Sequence, residues 1–383
     1  MFLELANQYL NKNLSGRYIT NTHIEPELNL LNKEFKISVE GKSVQDKNIY
    51  SVQVGTGKTK VFMWSQMHGN ESTTTKGLFD FFNFLNSDNE LAQKIKEDYT
   101  LLCIPILNPD GAQAYTRVNA NEIDLNRDAF NVTQPESRLL RKLYLEFKPD
   151  YCYNLHDQRT IFGTEDYNLP ATMSFLAPSY NNECHFNETR YKAVKVINSI
   201  NSVMQSIITN QVGRFDDAFN INCIGDYFTA HGTPTILFEA GHYADDYQRD
   251  EVRKFVFIAL VYSFLETNKC RDFDNEIIDY LKIPQNSKKF FDFVYRNVKI
   301  IENSEEKIIN FAAQFKEVLI GNEVNFLAEI IQIDGLEHSF GHVEYDCKGM
   351  FFSSSYGNLP KLQEKADFYL NNLLKYSNGL LIL

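Results

Sequence analysis

The stretch Val61-Phe62-Met63-Trp64-Ser65-Gln66-Met67-His68-Gly69-Asn70-Glu71-Ser72 passes from a short apolar run into a polar loop. Val61–Trp64 reads as a buried strand that carries His68 to its C-terminal end. From Ser72 to about Ile95 the chain reads as a helix, with Leu78, Phe79, Phe82, Phe84, Leu85 and Leu91 as its apolar positions. The same alternation continues outward. Thr100–Ile106 is strand-like, and Asn108-Pro109-Asp110-Gly111 is a turn. Pro135 opens a helix that Pro149 and Asp150 stop, and a strand then runs into His156. Thr189–Ile208 follows as a helix, Thr235–Phe238 as a strand and Gln248–Leu265 as a helix. Strands alternating with helices predict an α/β fold: three α/β/α layers around a mixed, mostly parallel sheet. In such folds, sites form beyond the C-terminal ends of the strands.

Past about Arg271 the texture changes. Lys288–Val318 is rich in Phe, Ile and Val with dispersed charge, Gly335–Ser355 has turn residues and aromatics, and Leu362–Lys375 reads as helical. The expected organisation is a larger domain over 1–270, which carries the residues singled out below, and a smaller accessory domain over 271–383.

Composition narrows the setting. The 383 residues are 43% hydrophobic and 23% charged, enough for a substantial core. The formal charge of −12 argues against a nucleic-acid partner, which needs a basic footprint. No run reaches the ~18 uninterrupted apolar residues of a membrane span. The first residues lack the basic start and apolar stretch of a secretory signal. Cys103, Cys152, Cys184, Cys223, Cys270 and Cys347 are scattered singly, and a reducing, cytoplasmic setting is expected.

The candidate chemistry is a single zinc ion. His68 and Glu71 are three apart on a turn entering a helix, so both can converge on one ion, and His156 at a distant strand end completes the set. Catalytic zinc takes three such ligands and keeps a fourth position open for water, whose pKa it lowers towards ~7. Glu239, at the end of Thr235–Phe238, is placed to act as general base.

His68-x-x-Glu71, Asn108–Gly111, Arg117–Arg127, His156 and Glu239 occur in the order found in zinc carboxypeptidases. Arg117-Val-Asn-Ala-Asn-Glu-Ile-Asp-Leu-Asn-Arg127 more closely resembles the bacterial murein-peptide amidases of that superfamily, and the match covers about residues 35–265. The resemblance implies one Zn²⁺ and hydrolysis of a peptide or small amide next to a free carboxylate. It also implies that Arg117 stabilises the oxyanion, while Asn126 and Arg127 bind the substrate carboxylate. Of the tyrosines after His156, Tyr243 is taken over Tyr227 as the one that contacts substrate.

Several positions depart from the family pattern. Asp157 stands where the family often has a small or hydroxyl residue, and either orients a ligand or faces water. Ala129 interrupts the usual run after Arg127. Asp216, Asp217 and Asp226 fall where a specificity pocket belongs and suggest a basic substrate end. Gly55–Thr59 imitates a phosphate loop but has Val52 where the first glycine is required, so a turn is expected. His338, His342 and Cys347 have metal-like spacing without a fourth ligand, and polar residues of a β-rich domain are expected. An N-acyl amino acid hydrolase of the aspartoacylase or succinylglutamate desuccinylase type is an alternative enzyme, since it starts with a similar His-Gly-Asn-Glu loop. A metal-free binding protein on a peptidase fold should have lost a ligand or the base, and here all four residues are present.

Overall fold

The computed structural model describes residues 2–265 and 272–382, which divide into two compact units. The first comprises residues 2–158 and 164–286, and the second residues 159–163 and 287–382. The boundary expected at 270/271, and Cys270, lie outside the described residues.

The helices of the first unit are α1 (Phe2–Tyr9), α2 (Asn21–Leu28), α3 (Thr73–Leu85), α4 (Glu90–Asp98), α5 (Pro109–Ala114), α6 (Pro135–Phe147), α7 (Glu188–Met204), α8 (Ile224–Ala230), α9 (Val252–Ser263) and α10 (Phe273–Leu281). Its sheet is built from β1 (Lys36–Lys42), β2 (Asn48–Val54), β3 (Thr59–Ser65), β4 (Tyr99–Ile104), β5 (Tyr151–Asp157), β7 (Met173–Leu176), β8 (Val212–Arg214) and β9 (Thr235–Ala240). The short strands β6 (Phe162–Thr164) and β10 (Asn286–Lys288) lie where the chain passes between the units.

The strand order is β1-β2-β4-β3-β5-β9-β7-β8. β4, β3, β5 and β9 run parallel at the centre, β2 and β7 are antiparallel to their inner neighbours, and β7 pairs parallel with β8. The pleat sends alternate side chains to opposite faces. Val61 and Met63, with Tyr153, Leu155 and Phe238, therefore join a core closed by α3, α7 and α9. Phe62 and Trp64, with Cys152, join a second core closed by α6 and α8. Both faces of the central strands are thus covered, which is why those strands read as continuous apolar runs rather than alternating ones.

The helix expected over 72–95 is two helices. Asn86 ends α3, and the Asn89 side chain accepts from the Leu91 backbone N–H to start α4, so the intervening polar residues form a turn. The phosphate-loop imitation is a turn between β2 and β3. Gly55 has φ +88°, and a Cβ there would lie 2.2 Å from the Tyr99 carbonyl.

The second unit is all β. β11 (Phe290–Glu302), β12 (Glu305–Ile320), β13 (Glu323–Ile333) and β14 (Phe340–Asp346) form one sheet. β15 (Phe352–Ser353), β16 (Phe368–Leu370), β17 (Leu374–Ser377) and β18 (Leu380–Ile382) form another. Tyr295, Phe311, Phe352, Phe368 and Tyr376 meet between the two sheets. The helix expected over 362–375 is absent: Phe368 and Leu370 are buried while Tyr369 between them is exposed, a period of two. Asn371 and Asn372, at φ 51° and 57°, then turn the chain back.

Candidate metal centre and active site

His68 follows β3, His156 lies within β5, and Glu239 lies within β9; β3, β5 and β9 are adjacent parallel strands. His156 and Glu239 are register partners, so the sheet itself sets them side by side. The His68–Glu71 turn is closed by the Glu71 N–H donating to the His68 carbonyl (3.1 Å). It packs so closely on the first turn of α5, a helix capped by Asn108 in place of the expected turn, that a Cβ at Gly69 would lie 1.9 Å from the Gly111 carbonyl carbon. Only glycine permits that approach.

His68 Nδ1 lies 2.8 Å from Glu71 Oε1, His156 Nδ1 lies 2.8 Å from Glu71 Oε2, and the two Nδ1 atoms are 3.1 Å apart. One donor atom from each residue falls within 4.8 Å of the others. Among the described residues this is the only His, Cys, Asp and Glu grouping of that kind. Two imidazoles and a carboxylate converging in this way form the donor set of a zinc site, and their separations suit one small cation. His68 Nε2 faces Asp124 Oδ1 at 2.9 Å, an arrangement that puts the ring proton on Nε2 and frees Nδ1 as a ligand.

The surrounding contacts fix these atoms. Arg117 Nη1 donates to Glu71 Oε1, and its Nε and Nη2 reach Asp124 Oδ2, each contact at 3.1 Å. The Asp157 N–H donates to Glu71 Oε2 (3.2 Å). The Asp157 carboxylate accepts from Thr73 N (2.8 Å) and Thr74 N (3.2 Å) at the start of α3. Asp157 thus does not simply face water: it ties the end of β5 to the start of α3, just after Glu71. Arg249 donates to the carbonyls of Ala240, Gly241 and Gln158, bracing the ends of β5 and β9.

Charge follows the same geometry. Burial acts to raise the Glu71 carboxyl, but His68 and His156 outweigh it and hold it well below the usual carboxylate range. Burial also opposes ionisation of Asp124, and His68 and Arg117 overcome it. The Glu239 carboxyl is pushed well up by burial and then by the charges of Glu71 and Asp157. Its Oε2 is sealed from solvent and has no hydrogen-bond partner among the described residues. A dication held by the neighbouring ligands would draw that pKa back down.

The other expected residues fall in different surroundings. Asn126 accepts from the Ile224 N–H through Oδ1 (3.1 Å), joining the Leu125–Arg127 3₁₀ turn to α8. Arg127 is exposed, and its charge acts on Asp226 and Cys223. Tyr243 packs edge to face on Phe255 (5.3 Å) against the helical core, not among the cluster's contacts. Tyr227 is stacked on His231 (4.0 Å), with Arg141 over its ring. The three acids expected at a pocket base already have partners. Asp217 pairs with the buried Arg190, Asp226 accepts from Asn220 N, and Asp216 accepts from Ala218 N. His342 bonds the Thr160 carbonyl and stacks on Phe290, and Cys347 is buried. Asp124 is the residue whose part sequence reading missed, although it opens the recognised Asp124-Leu125-Asn126-Arg127 string.

With this geometry established, the comparisons fall into place. The model of the zinc carboxypeptidase family, peptidase M14, matches residues 28–251, and the chain belongs to that family. Carboxypeptidase SOL1 of Arabidopsis thaliana is 28% identical over 202 residues, 44% of this chain and 41% of that protein. Carboxypeptidase 2 of Trichophyton rubrum is 27% identical over 100 residues, 26% of this chain and 19% of that protein. The chain therefore spans less than half of either curated relative. Among solved structures, the metallo-carboxypeptidase of Burkholderia cenocepacia aligns with a TM-score of 0.54 at 14% identity, covering 66% of this chain and 70% of that one. That likeness establishes the α/β fold. Among the described residues, no helix is long and apolar enough to cross a membrane.

Proposed function

We propose that the chain hydrolyses a peptide, or a peptide-like amide, at a bond next to a free carboxylate, with one zinc ion held by His68, Glu71 and His156. The observation that carries this reading is the meeting of the two Nδ1 atoms with the Glu71 carboxylate, beside a half-buried Glu239 at the end of the next strand. When bound, zinc supplies a Lewis acid and eases deprotonation of a water. Glu239 takes a proton from the attacking water at Oε2 and passes it to the leaving nitrogen. Arg117, tethered by Asp124, directs its guanidinium to the oxyanion that develops on the carbonyl. Arg127 and the Asn126 amide nitrogen bind the substrate carboxylate, the exposed guanidinium offering a bidentate fork. Because Asp216, Asp217 and Asp226 are engaged within the chain, a preference for a basic substrate end is not part of the proposal.

The test is mass spectrometry of a mixed peptide library incubated with zinc-loaded protein, chelator-treated protein and the Glu239→Gln variant. Loss of single C-terminal residues in the first sample alone is the expected result. Cleavage that survives chelation would refute the zinc reading. Cleavage of N-acyl amino acids but of no peptide would move the assignment to that class.

A further inference from the structure

The all-β unit holds a cavity of about 340 Å³ between the start of β15 and the β16–β17 hairpin. Its walls are Ile301, Phe351, Ser353, Asn358, Asn371 and Asn372, over a floor formed by the buried Phe352. The volume is at the lower end of small-molecule sites, ~300–1,000 Å³. We propose that this cavity binds a neutral saccharide.

Its chemistry selects the ligand. No lining residue is charged, although 23% of the chain is. Phosphates and carboxylates would find no cation in the wall, and a metal would find no carboxylate or imidazole. Lys299 Nζ, 5.0 Å from the Phe351 ring centre, is not part of the lining and is paired with Glu306. A wholly apolar ligand would leave the amide donors of the three asparagines unused. A pyranose meets both halves of the wall: its C–H face packs on Phe351 and Ile301, and its hydroxyls pair with the amides.

The amides are also held in place. Asn371 Oδ1 accepts from Phe351 N (2.8 Å), and Asn372 Oδ1 accepts from Ser353 Oγ (2.7 Å). Each oxygen is committed to the protein, which leaves each Nδ2 to donate outward. Left-handed backbone at these two positions would be met as well by glycine. Asparagine adds fixed donors that the turn does not require. Phe351 is held on both sides, since its carbonyl accepts from Asn371 N and its strand bridges to Lys299. A third of its surface remains exposed (36%).

The test is isothermal titration of the full chain with neutral tetrasaccharides of β-1,4-glucose, α-1,4-glucose and β-1,4-N-acetylglucosamine. Pull-down on the matching insoluble polymers distinguishes a free ligand from a polymer surface. Saturable binding of at least one tetrasaccharide at millimolar Kd is expected. Phe351→Ala should weaken it about tenfold or more, Phe351→Trp should preserve it, and Asn358→Ala should weaken it severalfold. His68→Ala should leave it unchanged, which separates this proposal from the zinc reading. An unaltered thermal midpoint in the Phe351 variants shows that the unit remains folded. Failure of all three sugars to bind at tens of millimolar, or binding indifferent to both Phe351→Ala and Asn358→Ala, would overturn the proposal.

Discussion

Replacing Asp124 with asparagine should separate zinc binding from folding. The two carboxylate oxygens divide their work, Oδ1 facing His68 Nε2 at 2.9 Å and Oδ2 facing Arg117 Nε and Nη2 at 3.1 Å. Asparagine keeps the size but has one acceptor. If its oxygen serves His68, its NH₂ faces the Arg117 cation; if it serves Arg117, the NH₂ faces the histidine and favours the proton on Nδ1, the atom needed as ligand. Either outcome removes a charge-assisted hydrogen bond, each worth about 1.5–3 kcal/mol. Loss of such a partner to a metal-bound histidine typically weakens the metal by about 10–100-fold. In the first orientation the backbone is spared, because the asparagine oxygen still accepts from Asn126 N as Asp124 Oδ1 does (2.8 Å). Competition with a chromogenic zinc chelator should therefore show affinity reduced by about 10–100-fold, while the melting midpoint of the zinc-free protein changes little. Zinc affinity within twofold of the parent would refute this account of Asp124.

Three further outcomes are expected. Glu239→Gln should retain zinc and lose about 10²–10⁴-fold in turnover; an equal loss of zinc would show that Glu239 serves as a ligand rather than a base. Asp157→Ala removes a helix cap worth about 0.5–2 kcal/mol and frees the joint between β5 and α3, so both the denaturation midpoint and zinc affinity should fall; unchanged zinc affinity would make Asp157 a cap only. Asp226 is pushed up from 3.8 to about 7, chiefly by burial. The native state then holds a proton that the unfolded chain releases, so this group's contribution to stability declines as pH rises from about 4 to 7. Asp226→Asn should be more stable than the parent at pH 8 and similar at pH 4 in zinc-free protein, and parallel stability profiles for the two would contradict the assignment.

Much of the site was legible because catalytic zinc demands particular residue types in particular local arrangements. His68-x-x-Glu71 is fixed by one turn, and strand ends could be read from apolar runs such as Val61–Trp64 and Thr235–Phe238. Tyr243 follows Glu239 closely in the chain, but its edge-to-face packing on Phe255 is a contact with no local signature. The acids at 216, 217 and 226 could be seen, but not their partners. Arg190, which neutralises Asp217, is 27 residues away on α7. At the C-terminal end, Leu362–Lys375 carried an apolar spacing compatible with a helix, and burial of Phe368 and Leu370 on one face of a sheet selected the strand instead.

By itself, the sequence determined the alternating α/β core and the strings His68–Glu71 and Asp124–Arg127, because each rests on short-range spacing that the chain carries wherever it folds, and it offered His156 and Glu239 for the proposed zinc and base set from their places at strand ends. Tertiary structure alone decided which nitrogen of each histidine faces the cluster, that Asp124 orients both His68 and Arg117, and that Asp157 ties the start of α3, just after Glu71, to the strand of His156. The contacts of Asp124 with His68 and of Asp157 with Thr73 join residues 56 and 84 positions apart, formed only when the parallel strands bring the loops at their ends together. Sequence spacing names the groups that can meet; sheet register and packing determine which atoms do.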